Sequence, residues 1–283
     1  MQTLAFTVGP SASGKTTWAH KQDAIVIDSD QLREELYGNW ADKTHHAEVF
    51  AEMQKRTIAA LQEGHSVVYC ATNLNIKKRI ATLRAIKEAC RDHDIQYVCH
   101  VFAPLPVTLY QRNRERAHQV PDYVIRRQLT QFQMPVWKEG WSRIQLHADD
   151  ELVQHLYLLE LQRRIQRFGS QQNPHHTLSL YDHCQACAGL LPREMKLVGF
   201  FHDCGKLDTQ TIDEHGVAHY YGHENVGAYY AAAAGFHEHD IALINYHMLP
   251  YQNEAAQAAW RERLGDELWH DILILHAADE EAH

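Results

Sequence analysis

Leu4-Ala-Phe-Thr-Val8 runs directly into Gly9-Pro-Ser-Ala-Ser-Gly-Lys-Thr16. An apolar run that ends in a Gly-Pro turn reads as a buried strand. Glycines at 9 and 14 let the backbone turn its N–H groups towards phosphate oxygens, and a helix opening at Lys15 adds positive partial charge. Lys15 is spaced to reach the β- and γ-phosphates of a nucleotide, and Thr16 to hold magnesium. Ser11, Ser13 and Thr17 fill out the cradle. A glycine-rich turn without this strand-loop-helix context would carry no such meaning.

Outward from this loop, strands and helices alternate. Ala24–Ile27, Ser66–Tyr69 and Ile95–Phe102 read as further strands, and Thr44–Glu63 and Lys77–Asp92 as helices. That order predicts an α/β domain, a parallel sheet with helices on both faces, over residues 1–149. Beyond Trp141 the pattern changes. Glu151–Phe168 reads as one helix, broken at Gly169 to Pro174, and almost no β signal follows. Residues 150–283 are therefore expected to form an all-α domain, with 150–169 as a bridging helix or its first element.

The formal charge of −9 over 283 residues argues against non-specific coating of nucleic acid, but not against a grip on a strand end by a few arginines. No apolar run is long enough to span a bilayer. Six cysteines without a secreted-type framework suit reduced thiols in a cytoplasm. Cys184-Gln-Ala-Cys187 has half the spacing of a zinc ribbon, yet it sits in a helical stretch and lacks a second pair, so it reads as core packing.

Asp28-Ser-Asp30-Gln-Leu-Arg33 follows the second strand, where an acceptor would approach. Asp30 can take the proton of an acceptor hydroxyl and Arg33 can pair with a phosphate, although the same residues also suit a helix N-cap with an exposed arginine. Arg112 and Arg116 are four apart on a helix, either a solvated basic face or a pair that closes over a triphosphate. Together with Thr72-Asn-Leu-Asn75, Val120-Pro-Asp-Tyr-Val124 and Phe132-Gln-Met-Pro135, these segments resemble P-loop kinases related to the bacteriophage polynucleotide kinase, over about residues 1–147. The resemblance implies that Asp30 is the general base, Arg33 contacts the acceptor's phosphate and Arg116 stabilises the transition state. It also implies ATP or another nucleoside triphosphate with magnesium. Members commonly carry an Asp before the Thr-Asn pair, where this chain has Tyr69-Cys70-Ala71. Asp28 or Asp30 is left to share its task of ordering magnesium and its waters.

Thirteen of the 22 histidines lie between His175 and His283, a density that directs attention to metal chemistry. His202-Asp203 ends an apolar helix near Gly205, so both side chains can turn to one ion. With His183 and Asp279 they make a mixed N/O set suited to manganese, nickel, cobalt, iron or magnesium, and Lys206 is placed to neutralise phosphate. Tyr181-Asp-His183, Phe201-His-Asp-Cys-Gly-Lys206, His219-Tyr-Tyr-Gly-His-Glu224 and Ala278-Asp279 occur in the order found in HD-domain phosphohydrolases. They most resemble the HD domain of bacterial CCA-adding tRNA nucleotidyltransferases, over about residues 170–283. That resemblance implies metal ligation by His183, His202, Asp203 and Asp279. It assigns His223 and His247 to a second ion or to phosphate and proton partners. His175 or His176 is an alternative to His183.

The pairing looks like the fused polynucleotide kinase–HD proteins of bacterial RNA repair. It implies phosphorylation of 5′-hydroxyl polynucleotide ends, RNA above all, with hydrolysis of 2′,3′-cyclic or 2′/3′-phosphate ends and a separate RNA ligase as partner. Two other readings stay open. One is a small-molecule kinase for a nucleoside, sugar or antibiotic, fused to a nucleotidase. The other is a nucleotide-sensing switch with little turnover.

Overall fold

The structure is a computed structural model that describes residues 2–42, 44–173 and 177–282; His175 and His176 lie outside the described residues. By its internal contacts the chain divides into two compact units, Met1–Phe102 with Pro135–His147, and Ala103–Met134 with Ala148–His283.

In the first unit the elements run β1 (Gln2–Val8), α1 (Lys15–Ala19), β2 (Ile25–Asp28), α2 (Ser29–Tyr37), α3 (His46–Gln62), β3 (Val67–Cys70), α4 (Ile76–Ala89) and β4 (Ile95–Phe102). The strand that closes this unit, numbered β5 below, is Arg143–His147. All five strands are parallel, in the order β2-β3-β1-β4-β5. Strand β1 is central and Leu4, Phe6 and Val8 are wholly buried, which is why it reads as a continuous apolar run. Strand β5 escapes such a reading because Arg143-Ile-Gln-Leu-His147 is a half-exposed edge strand with polar alternation.

The second unit begins with α5 (Pro106–Glu115) and α6 (Asp122–Leu129) and continues with α7 (Glu151–Phe168), α8 (Leu180–Leu190), α9 (Lys196–Phe201) and α10 (Lys206–Thr209). After a small antiparallel hairpin, β6 (Thr211–Ile212) and β7 (Ala218–His219), come α11 (His223–Ala233), α12 (Glu238–Tyr246), α13 (Glu254–Leu264) and α14 (Asp266–Glu281). The unit is helical as expected except for that hairpin, whose strands are too short to leave a periodic signal. Residues 103–134 are stitched to α11 and α12. Tyr229 Oη donates to Pro104 O at 2.7 Å, Asn225 Nδ2 to Thr130 O at 2.9 Å and Tyr246 Oη to Met134 O at 2.8 Å. Asn245 accepts from Met134 N at 2.6 Å and donates to Phe132 O at 3.2 Å. Phe132 and Met134 are thus held by the Asn245 amide and the Tyr246 hydroxyl. No helix among the described residues is long and apolar enough to cross a membrane.

Arg79 on α4 and Glu139 form a bidentate ion pair at 2.7 and 2.8 Å, with neither side chain exposed. The same guanidinium donates to Asn73 O at 2.9 Å, and Glu139 also accepts from Val136 N and Trp141 Nε1. Glu139→Ala would strand the Arg79 charge in the core. It should cost about 3–5 kcal/mol in urea denaturation.

Near the end of α1, Trp18 packs on His100 with ring centroids 4.1 Å apart, and His100 Nδ1 lies 2.9 Å from His147 Nε2. Burial, with the neighbouring His147 and Arg143, lowers the His100 pKa to about 4. The folded value lies below the unfolded one, near 6.5. The neutral ring's contribution is therefore complete above pH 6.5 and is lost as pH falls towards 4. Between pH 7 and pH 4, wild type should lose on the order of 2 kcal/mol more stability than His100→Phe, measured by urea denaturation at both pH values.

Candidate active sites

The loop after β1 is shaped by its glycines. Gly9 has φ +152°, and a Cβ there would lie 2.6 Å from Phe102 O; Gly14 has φ +98° and starts α1. Gly9 N donates to Thr72 O at 3.0 Å, Thr7 Oγ1 to Ala71 O at 2.9 Å, and Asn73 Nδ2 to Thr7 O at 2.8 Å. The Thr72–Asn75 segment therefore buttresses the loop from strand β3. Helix α1 is five residues long, shorter than the sequence suggests, so anion stabilisation falls mainly to the loop's own N–H groups and Lys15. Lys15 Nζ is folded back onto Pro10 O at 2.5 Å and Ser13 Oγ at 3.1 Å. Ser11 and Thr17 flank them in the same turn and helix.

Thr16 Oγ1 donates to Asp28 Oδ2 at 3.1 Å and lies 3.7 Å from Cys70 Sγ. Two hard oxygens side by side suit magnesium. On α2, Asp30 is half exposed and its Oδ1 is 2.5 Å from Arg33 Nη1. Arg33 is buried, with Nη1 also donating to Ser29 O at 3.1 Å, while its Nε finds no hydrogen-bond partner among the described residues. In the second unit, Arg112 lies on α5, and Arg116 is the extended residue that ends the helix. The two therefore do not continue one helical face. Asn113 closes the following loop, exchanging hydrogen bonds with Val120 N and O.

Residues 4–135 match the family model of an AAA domain. This part of the chain is similar to kinase-type P-loop nucleotide-binding domains. It implies a nucleotide and magnesium as its ligands. No curated protein matches the chain.

The second site is built in the core of the helical unit. His183 comes from α8, His202 and Asp203 from the turn after α9, His223 from the start of α11, His247 from the end of α12 and Asp279 from α14. All six are buried. Each imidazole points its Nδ1 at a backbone carbonyl: His183 at Ala282 O (2.8 Å), His202 at Gly199 O (2.7 Å), His223 at Tyr220 O (2.8 Å) and His247 at Ile244 O (2.7 Å). A carbonyl can only accept, so every Nδ1 carries the proton and every Nε2 faces inward.

Those Nε2 atoms converge on carboxylates. His183 and His202 lie 3.1 and 3.2 Å from Asp279 Oδ1, and 3.3 and 3.4 Å from Asp203 Oδ2. Asp203 Oδ1 faces the other way, 3.2 Å from His223 and 3.9 Å from His247. The donor atoms of His183, His202, Asp203 and Asp279 all lie within 4.8 Å of one another, and so do those of Asp203, His223 and His247. Pairs of Nε2 atoms only 3.3 and 3.4 Å apart are poorly explained by hydrogen bonding alone, because two neutral Nδ1–H rings set lone pair against lone pair and two imidazoliums set proton against proton. A cation between them removes the conflict. The donor set fits a divalent transition metal.

The electrostatics agree. Burial drives the His183 pKa down, but Asp203 and Asp279 outweigh it and hold the value at about 9. Against the cost of burial, both carboxyls are held far below the ordinary range, Asp203 by Lys206 and His202, Asp279 by His202 and His183. Only His247, wholly enclosed and beside two other imidazoles, is pushed the other way, to about 3. The centre favours positive charge beside the two aspartates.

Supporting residues hold this arrangement. A Cβ on Gly205 would lie 2.0 Å from His223 O, so only glycine lets the His202–Asp203 turn press against α11. Lys206 Nζ is 2.6 Å from Asp203 Oδ2 and 3.0 Å from Gln171 Oε1. Gln171 is wholly buried, with an Nε2 that has no partner among the described residues. Sequence reading passed over it because a lone Gln before a turn carries no pattern. Tyr251 Oη donates to Asp279 Oδ2 at 3.4 Å. Cys184 and Cys187 are buried and join neither ligand group.

Adding manganese, nickel or cobalt to chelator-treated protein should raise the melting temperature of wild type. At a hundredfold excess over Kd the stabilisation is about 2.7 kcal/mol. Asp203→Asn, which removes the charge shared by both ligand groups, should show little of that shift in differential scanning calorimetry.

Proposed function

We propose that the chain is a bifunctional nucleic-acid end-healing enzyme. It phosphorylates 5′-hydroxyl polynucleotide ends, RNA above all, with ATP, and it hydrolyses 2′,3′-cyclic or 2′/3′-phosphate ends at an HD-type site. The observation that carries the reading is the coexistence of a kinase-type phosphate loop with four inward-facing imidazoles around two buried aspartates. Each part alone fits many enzymes; the pair fits the two repairs that a transesterified RNA break requires, after which a separate ligase can seal it.

In the kinase unit, Lys15 and the loop N–H groups bind the nucleotide's phosphates, and Thr16 contributes its hydroxyl to magnesium. Magnesium supplies charge neutralisation between the β- and γ-phosphates. Asp30 is half exposed and accepts the proton of the attacking 5′-hydroxyl at its carboxylate. Arg33 holds that carboxylate and offers its remaining N–H groups to a phosphate of the acceptor strand.

At the second site, His183, His202, Asp203 and Asp279 would hold one ion, and Asp203, His223 and His247 offer a second group of donor atoms. A divalent ion there supplies Lewis acidity and lowers the pKa of water. Lys206 orients Asp203, and the Nε2 of Gln171 beside it, without a partner among the described residues, is a donor for a phosphate oxygen.

The two activities should separate by mutation. RNA bearing a 5′-hydroxyl and a 2′,3′-cyclic phosphate is incubated with ATP and manganese or nickel, and both ends are resolved by mass. Lys15→Ala or Asp30→Ala should abolish 5′ phosphorylation and spare the other end, and His202→Ala with Asp203→Ala should do the reverse. Unmodified RNA, with phosphate transfer to nucleosides or sugars instead, would replace this reading by a small-molecule kinase.

A further inference from the structure

Strand β3 ends in Cys70 and is followed by Ala71 and Thr72, none of them an acid. The thiol of Cys70 lies 3.7 Å from the Thr16 hydroxyl. A thiol is a soft group and a poor neighbour for a hard cation. Directly beside it in the parallel sheet stands Asp28, paired in register with Cys70. Asp28 is 9% exposed.

Both of its oxygens are committed. Oδ1 caps α2, accepting from Asp30 N at 2.8 Å and Gln31 N at 3.1 Å, and Oδ2 accepts the Thr16 hydroxyl proton at 3.1 Å. This direction of donation matters. A hydroxyl that gives its proton to a carboxylate keeps its oxygen lone pairs for a cation. Asp30, the other acid of the segment, is instead 2.5 Å from Arg33 and half exposed.

We propose that Asp28, at the end of β2, is the carboxylate that orients Thr16 and holds the hydration shell of the nucleotide's magnesium, in place of an acid on β3. Asp30 is thereby left to the acceptor. The assignment rests on reading Lys15 and Thr16 as a nucleotide–magnesium site. It makes Asp28 a positioning residue, acting through Thr16 and water.

The test measures binding of a fluorescent ATP analogue to the full chain, in EDTA and across a magnesium titration. Asp28→Asn keeps an oxygen for the α2 cap, removes the charge and replaces the oxygen that accepts from Thr16 by an NH2 group. It should bind nucleotide in EDTA as wild type does, yet need about ten times more magnesium to reach the same enhancement. Cys70→Asp in the Asp28→Asn background should recover part of that loss, since position 70 faces the same hydroxyl. An unchanged magnesium requirement in Asp28→Asn overturns the proposal. So does equal weakening with and without magnesium, which marks Asp28 as a cap alone. Wild type that binds no nucleotide, or binds it independently of Lys15, overturns the phosphate-loop reading beneath it.

Discussion

Six buried side chains of the helical unit are organised by one constraint: each of four imidazoles spends its Nδ1 proton on a main-chain carbonyl. Those carbonyls lie three residues before the ring for His202, His223 and His247, and at Ala282 for His183. The rings are therefore oriented by the helices and turns that carry them, before any ligand arrives. What remains is a set of Nε2 atoms directed at Asp203 and Asp279. Burying two carboxylates is expensive unless cations face them, and Lys206 alone cannot balance both. The architecture around them, including the close contact permitted by Gly205, follows from holding this charge in the core.

The nucleotide-binding unit solves a different problem with backbone. Its central strand delivers the loop, Gly9 allows the chain to pass against Phe102, and the segment after β3 hydrogen-bonds the loop from the side. Arg79 ties that segment to Glu139. The chemistry-bearing residues then sit at the carboxyl ends of adjacent strands, where open α/β sheets bind ligands. With Cys70 on β3 and Asp28 on β2, the acid that meets Thr16 stands at the end of β2.

Much of this was legible in the residues. Leu4–Val8, Ile95–Phe102 and Glu151–Phe168 announce themselves by unbroken apolar runs or helical spacing, and the structure contains all three as strands or helices. The glycine pattern around Lys15 located the loop, and the order of His-Asp segments located the second cluster. Elements without a periodic signal were lost. Strand β5 is polar and exists through its pairing with β4, and the β6–β7 hairpin has two residues per strand. The grouping of residues 103–134 with the helical unit depends on Asn225, Tyr229, Asn245 and Tyr246, donors more than ninety residues distant in sequence.

By itself the sequence determined the alternating α/β half, the helical half and the residue types available for phosphate and metal chemistry, because periodicity and loop glycines act locally. Tertiary structure alone decided which acid meets Thr16, which side of each imidazole faces inward, and that Asp203 is shared between two groups of histidines. Those outcomes depend on strand register and helix packing, which bring together atoms that no spacing along the chain relates.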